Sequence, residues 1–561
     1  MSSTIEELQC LISREMVRVR SSFRASPQYG IDARVALLEC SRALDHFFVR
    51  PLLTRQPNPA SLWNLYAAGS HRAFTLFLDE TADRGGVPLT PSVPHLHNWA
   101  DSAIQHLGRV AQSQHLLELS KATLATLSRI NNGRFCVTFP DALVDSEAFD
   151  VSDQLWLRRL ASRIDEPLQK ELADRLPSII SKMRALVYLW REHYVGYDTT
   201  PDIDEHFLNA GVAWARTLGG QSELPGDLTV GGHPFYAYRA VIGLMCGRAL
   251  KHLSFASELA QQRPELERRN FWAIWSTIDE WCAFFQEALD IDRGTARQLL
   301  HSLTLDREYQ TAFGSSAPGA LPPLIKVSKN QLVMSLTGCL DAPFWFVLGK
   351  LRHCYRNDWD SIVDSRESMF RDELLELFGR AGIRTIARPV RIREQGRIVT
   401  DIDAVAFDAK SGRLLLCQLK WQDPFGRSMR SRRNKMTNLI TTANRWIDVV
   451  HGWSHGMARD QLAKVLGFGD CTIQRIELLV LARHHSRFTK GIEPDSRAAW
   501  GTWGQVCRIV TEDYRGGELI DTLMRQLTTE ADRVDSPRAI PVGALRVSDQ
   551  LTLEIRRAGS S

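Results

Sequence analysis

Between residues 5 and about 309, apolar side chains recur at three- and four-residue spacing, which predicts a succession of amphipathic helices. Val35, Leu37, Leu38, Ala43, Leu44 and Phe47 form an early set, and similar patterns run through 61–79, 95–128, 154–194, 236–259 and 270–289. Trp63, Phe74, Phe77, Trp156, Trp190, Trp214, Trp272, Trp275 and Trp281 are spread through this half and read as core, not as stacking platforms for bases. No fixed period repeats, so a solenoid is not expected. After residue 366 the pattern changes. Residues 366–381 predict a helix with Phe370, Leu374, Leu377, Phe378 and Ala381 on one face and Gly382 as its stop. Strands are expected at 383–393, at 399–407 and at 414–421, the last two joined as a hairpin by the turn-forming 409–412. Pro389 places the first strand at an edge or a bulge. A helix at 436–450 and a buried strand at 476–482 complete an α-β-β-β-α-β order. The fold class expected is α+β, a large all-α N-terminal region followed by an α/β domain.

Polar groups on the apolar faces of that second part carry the chemistry. Glu367 shares the face of Phe370 and Leu374. One reading is a carboxylate complementing the dipole in the first turn of the helix; the other is a charge offset by a metal or a partner. Alternation puts Asp401 and Asp403 on one face with Val405 and Phe407, and Gln418 and Lys420 on one face with Leu414 and Leu416. Carboxylate and amide oxygens are hard ligands suited to Mg²⁺ or Mn²⁺, and the Leu419 carbonyl adds another oxygen. Lys420 is suited to placing or deprotonating a water and to offsetting charge on a phosphate.

The order of Glu367, then the Asp401-Ile402-Asp403 run, then Gln418-Leu419-Lys420 resembles the PD-(D/E)XK nuclease superfamily. Gln in place of the second acid resembles the Gln-x-Lys variant of Mrr-type restriction endonucleases, and the Asp403-Ala404-Val405-Ala406 run is similar to theirs and to that of archaeal Holliday-junction resolvases. The resemblance covers about 367–481. It implies a restriction-endonuclease-like core with Asp403 and Gln418 as metal ligands, Glu367 as the helix acid and Lys420 as the catalytic lysine. The chain departs from the family in having no Pro before the Asp, and Asp401 competes with Asp403 as the main ligand. The cofactor implied is Mg²⁺ or Mn²⁺, and the activity is hydrolysis of phosphodiesters in nucleic acid, DNA before RNA, with defence against foreign DNA as the matching role.

Charge adds a second expectation beside the first. Arg427, Arg430, Arg432, Arg433 and Lys435 follow the candidate lysine closely and are read as a loop that grips a phosphate backbone. The whole chain, at formal net charge +4, is too mildly basic to imply such a partner by itself. With 44% hydrophobic and 24% charged residues it reads as an ordinary globular protein. Ten cysteines without a Cys-x-x-Cys, no apolar leader and no membrane-length apolar run point to a cytoplasmic protein with reduced thiols. The 561 residues are expected to divide into a helical domain (1–322), a connecting segment packed on the nuclease core (323–361), that domain itself (362–530) and a tail (531–561), with the Gly- and Pro-rich 314–323 as the main boundary. His451 and His455, at i and i+4, read as a surface pair. No phosphate-binding Gly-x-x-x-x-Gly-Lys-Ser/Thr loop is present. Two other readings stand beside the nuclease. One is a nuclease-fold binding protein without turnover, since Gln418 leaves the site one negative charge poorer. The other is a helical interaction protein, forming a homodimer or meeting a protein partner through the N-terminal region.

Overall fold

A computed structural model of the chain describes residues 2–25, 34–54, 60–78, 85–86, 89–139, 156–161, 166–219, 224–272, 274–316, 319–421, 429–469, 471–484, 493–534 and 543–558. The protein is α+β.

The N-terminal region is helical, built on α1 (Ser2–Arg24), α2 (Val35–Thr54), α3 (Ala60–Leu78), α4 (Pro94–Lys121) and the central α5 (Phe235–Gln262). Close approach of α3 and α4 needs glycine. A Cβ on Gly69 or Gly108 would lie 1.9 or 2.3 Å from a carbonyl oxygen of the facing helix. The region is not purely α. A hairpin, β1 (Thr126–Asn131) with β2 (Arg134–Phe139), sits within it. So does a four-stranded sheet in the order β3 (Ile274–Thr277), β6 (Gln331–Met334), β5 (Leu324–Lys326), β4 (Thr304–Leu305). These strands are too short to outweigh the helical periodicity around them.

That second sheet moves the expected boundary. The Gly- and Pro-rich 314–323 leads directly into β5, which pairs with β4 and β6 inside the helical region. Residues 323–361 do not pack chiefly on the α/β core. Met334, Leu336, Phe344, Val347, Leu351 and Trp359 join the cluster around α5. A buried carboxylate fixes the junction: Asp45 of α2 accepts hydrogen bonds from the Leu336 and Thr337 amides at 3.0 and 2.9 Å and from the Thr337 hydroxyl at 2.7 Å.

The α/β part begins with α6 (Val363–Arg380), three residues earlier than expected. Gly382, at φ +79°, ends it, with the Ile383 amide returning to the Phe378 carbonyl at 3.1 Å. The expected strand at 383–393 is two strands, β7 (Arg384–Ile386) and β8 (Val390–Glu394), separated around Pro389. The expected strand at 399–407 is also two, β9 (Arg397–Ile402) and β10 (Ala404–Asp408), divided at Asp403. Next come β11 (Arg413–Lys420), α7 (Met429–His455), β12 (Arg475–Ala482) and β13 (Ala498–Thr502). The main sheet runs β7-β10-β11-β12-β13, antiparallel as far as β11 and parallel beyond it. β8 and β9 pair only with each other.

Alternation along β10 and β11 builds two cores. Ala404, Ala406, Leu415, Cys417 and Leu419 face α6 and the C-terminal helix Leu519–Val534. Val405, Phe407, Leu414 and Leu416 face α7. Leu157, from the helical half far upstream, is buried in the first of these cores.

Within the expected tail lies a hairpin, β14 (Gly543–Ser548) with β15 (Leu551–Arg557), and β15 pairs in parallel with β2 to close a sheet ordered β1-β2-β15-β14. Among the described residues, no helix is long and apolar enough to cross a membrane. Leu553, fully buried beside Phe135 and Val137, holds this closure. Leu553→Ala is expected to cost about 2–5 kcal/mol in chemical denaturation. A loss below about 0.5 kcal/mol would mean that the hairpin is not part of the folded core.

Candidate functional site

Strand pairing sets the position of Asp403. Its amide donates to the Cys417 carbonyl at 3.0 Å, where the chain crosses from β9 into β10. Ile402 falls in the α7-side core and Ala404 in the opposite one, so alternation is broken at Asp403 itself. The four-residue face expected to run from Asp401 to Phe407 therefore does not exist as one strand face. Asp401 stays on β9, exposed, while Asp403 turns inward. The Asp403 carboxylate accepts the Leu419 amide at 2.6 Å and is also hydrogen-bonded by the Gln418 side-chain amide. Two of the four site residues expected from sequence thus touch directly, across neighbouring strands.

Electrostatics tie in the others. Burial pushes the Asp403 carboxyl up to about 6, opposed by the Leu419 amide, the positive Lys420 and the Gln418 amide, and reinforced by Asp401. Glu367, half-buried on α6, is also pushed up, first by burial and then by Asp364 and Asp401, while Lys420 and Arg366 pull it down. Lys420 and Asp401 each act on both of these acids. Because α6 starts at Val363, Glu367 lies past the first turn, where Asp364 is the acid, and the helix-dipole reading of Glu367 loses force.

Two anchors went unread in the sequence. The Trp446 indole of α7 donates to the Asp401 carbonyl at 2.7 Å and fixes β9 next to the strand break. Arg483, one residue past β12, is 2% exposed. Its guanidinium lies 4.9 Å from the Trp421 ring and 5.3 Å from the Phe370 and Trp503 rings, and it pairs with Glu373 of α6. The Arg483 amide donates to the Lys420 carbonyl at 2.9 Å. A lone arginine closing the apolar run 476–482 was the available signal.

Other expected residues are placed differently. Arg427 lies outside the described residues. Arg430, Arg432, Arg433 and Lys435 sit on the opening turns of α7 and not in a loop, because that helix starts at Met429; their side chains lie outside the described residues. His451 and His455 stack at 4.0 Å between ring centres near the end of α7. Among the described residues, no group of three or more His, Cys, Asp or Glu is placed to hold a metal ion. The groups that touch the Asp403 carboxylate are the Gln418 side-chain amide and the Leu419 backbone amide, both donating to it. The Asp403 carboxylate itself is a hard oxygen donor of the kind a small divalent cation takes.

Comparison with known proteins returned no matching family model, no matching curated protein and no matching solved structure.

The raised Asp403 carboxyl has a sign that can be checked. Ionising it is harder in the fold than in the unfolded chain, where it titrates near 3.8, so its contribution falls as pH rises from about 4 to about 6. Asp403→Asn is expected to be more stable than the parent at pH 7 by about 1–3 kcal/mol in urea denaturation, with the difference closing below about pH 4. A variant less stable than the parent at pH 7 would show that the ionised carboxylate stabilises the fold.

Proposed function

We propose that the chain is a metal-dependent nuclease that hydrolyses phosphodiester bonds in nucleic acid, with DNA as the substrate considered first. The supporting observation is the hydrogen bond between Gln418 and Asp403 across neighbouring strands, with Lys420 acting electrostatically on both Asp403 and Glu367. A phosphodiester is anionic and repels hydroxide, so its hydrolysis needs a cation and a placed water. Asp403, the Gln418 amide oxygen and the Leu419 carbonyl are the groups that would hold Mg²⁺ or Mn²⁺. Such an ion supplies Lewis-acid polarisation of a phosphoryl oxygen and makes a water easier to deprotonate. Glu367 receives and orients that water, and Asp401 adds a carboxylate from the solvent side. Lys420 holds the water in line and offsets charge developing on the phosphate.

Gln418 bears on a second reading. It turns its NH₂ group toward Asp403, so ion binding requires the amide to rotate and present oxygen. With this hydrogen bond in place, and no three-acid group among the described residues, the site also supports nucleic-acid binding without turnover. The defence role rests on the family resemblance alone.

Cleavage of single- and double-stranded DNA and RNA in Mg²⁺, Mn²⁺ or EDTA decides between the two. Lys420→Ala is expected to lower Mg²⁺-dependent cleavage by about 10²–10³-fold while leaving DNA binding nearly intact. Equal, metal-independent activity in parent and variant defeats the nuclease reading. Asp403→Asn is expected to reduce cleavage more than Asp401→Asn; the reverse order makes Asp401 the main ligand.

A further inference from the structure

β8 and β9 form a two-stranded ribbon separate from the main sheet, and β9 runs into β10 through Asp403. Ile392 and Ile402 are buried in the α7-side core, and Trp446 fixes Asp401, so the root of the ribbon is rigid. Beyond that root it leaves the protein. Residues 393–399 are all exposed, including Ile398 at 50% and Val399 at 38%. Gln395 and Gly396, at φ +49° and +80°, make a tight two-residue turn that keeps the two strands together to the tip.

Charge on the ribbon is mostly positive. Residues 388–402 contain Arg388, Arg391, Arg393 and Arg397, against two acids, Glu394 and Asp401. All four arginines are exposed, and among the described residues none is in an ion pair with a carboxylate. Positive charge can simply guard a free strand edge against mispairing. Position argues for more than that here. Arg391 stands opposite Asp401 and Arg397 opposite Glu394 in the strand register, so the arginines begin at the acidic site and run outward from it on both faces of the ribbon.

Dimensions favour one occupant. From Asp401 to the turn is about five residues, or about 17 Å of extended chain. The major groove of B-form DNA is about 12 Å wide and 8.5 Å deep and admits a two-stranded ribbon. The major groove of A-form RNA is too narrow for one. A ribbon of this length reaches the groove floor while its root stays at the backbone, beside Asp401 and Asp403.

We infer that β8–β9 is an arm that enters the major groove of duplex DNA, with Arg388, Arg391, Arg393 and Arg397 on the flanking phosphates and Ile398 and Val399 toward the base edges. This rests on the nuclease reading for its substrate and adds to it the duplex form and the surface that grips it.

The test is fluorescence anisotropy of the full chain with a labelled duplex of about 20 base pairs in EDTA across a salt series, alongside single-stranded DNA and duplex RNA. Replacing all four arginines by alanine is expected to weaken duplex-DNA binding at least about tenfold near 0.1 M salt, and to lower the slope of log K against log salt by about 3–4. Arg393→Glu with Arg397→Glu changes only the exposed tip and, with an unchanged melting temperature, should weaken binding to a similar degree. Unchanged affinity and slope in both variants overturn the arm, as does equal loss on single strands or duplex RNA. The two readings separate cleanly. A parent that cleaves DNA but binds independently of the arginines loses only the arm, whereas one that binds through the arm and never cleaves loses only the nuclease.

Discussion

A carboxylate drawn inward at a break between two strands is the constraint on which the candidate site depends. Asp403 lies where β9 ends and β10 begins, held by the Leu419 amide and the Gln418 side chain. Raising its carboxyl from 3.8 to about 6 corresponds to roughly 3 kcal/mol against ionisation. A fold has little reason to keep an acid there without something that repays the cost, and a divalent cation among oxygen donors would do so. The surrounding elements resist relaxation of the break. β11 is locked between antiparallel β10 and parallel β12, and α6 is tied to the end of β12 by Glu373 and the aromatic cage around Arg483. Glu367 rides on α6, and the Arg483 amide holds the Lys420 carbonyl at the end of β11.

The rest of the chain is coupled to that core more closely than a linear division suggests. Leu157 contributes from far upstream, and Trp421, directly after Lys420, packs against both the α5 cluster and the α6-side core. At the opposite end of the chain, β15 completes a sheet begun at β1 and β2. Packing of this kind makes the helical region a structural neighbour of the site.

Legibility followed the range of the forces involved. Helix α6, the β10–β11 hairpin, α7 and β12 were readable because their apolar periodicity is local and strong. Gly382 and the 409–412 turn mark their ends by backbone chemistry. The ribbon was not readable. Alternation over 399–407 continues smoothly through Asp403, and nothing in the residue types shows that the strand changes partner there. The pairing of β15 with β2 was hidden for another reason: two strands more than 400 residues apart leave no local pattern in common. The three aromatic neighbours of Arg483 come from separate parts of the chain and only the fold brings them together. Of the site itself, the fold joins Asp403 to Gln418 by a hydrogen bond, whereas the basic run was expected in a loop and Arg430, Arg432, Arg433 and Lys435 lie on a helix.

Titration calorimetry of the intact chain with Mn²⁺ at neutral pH, on the parent, Glu367→Gln and Asp403→Asn, addresses the shared site most directly. One binding event in the parent, weakened at least about tenfold in each variant, is the outcome expected if these acids converge on one ion. No binding in the parent, or equal binding in all three proteins, contradicts a metal centre at the end of β11.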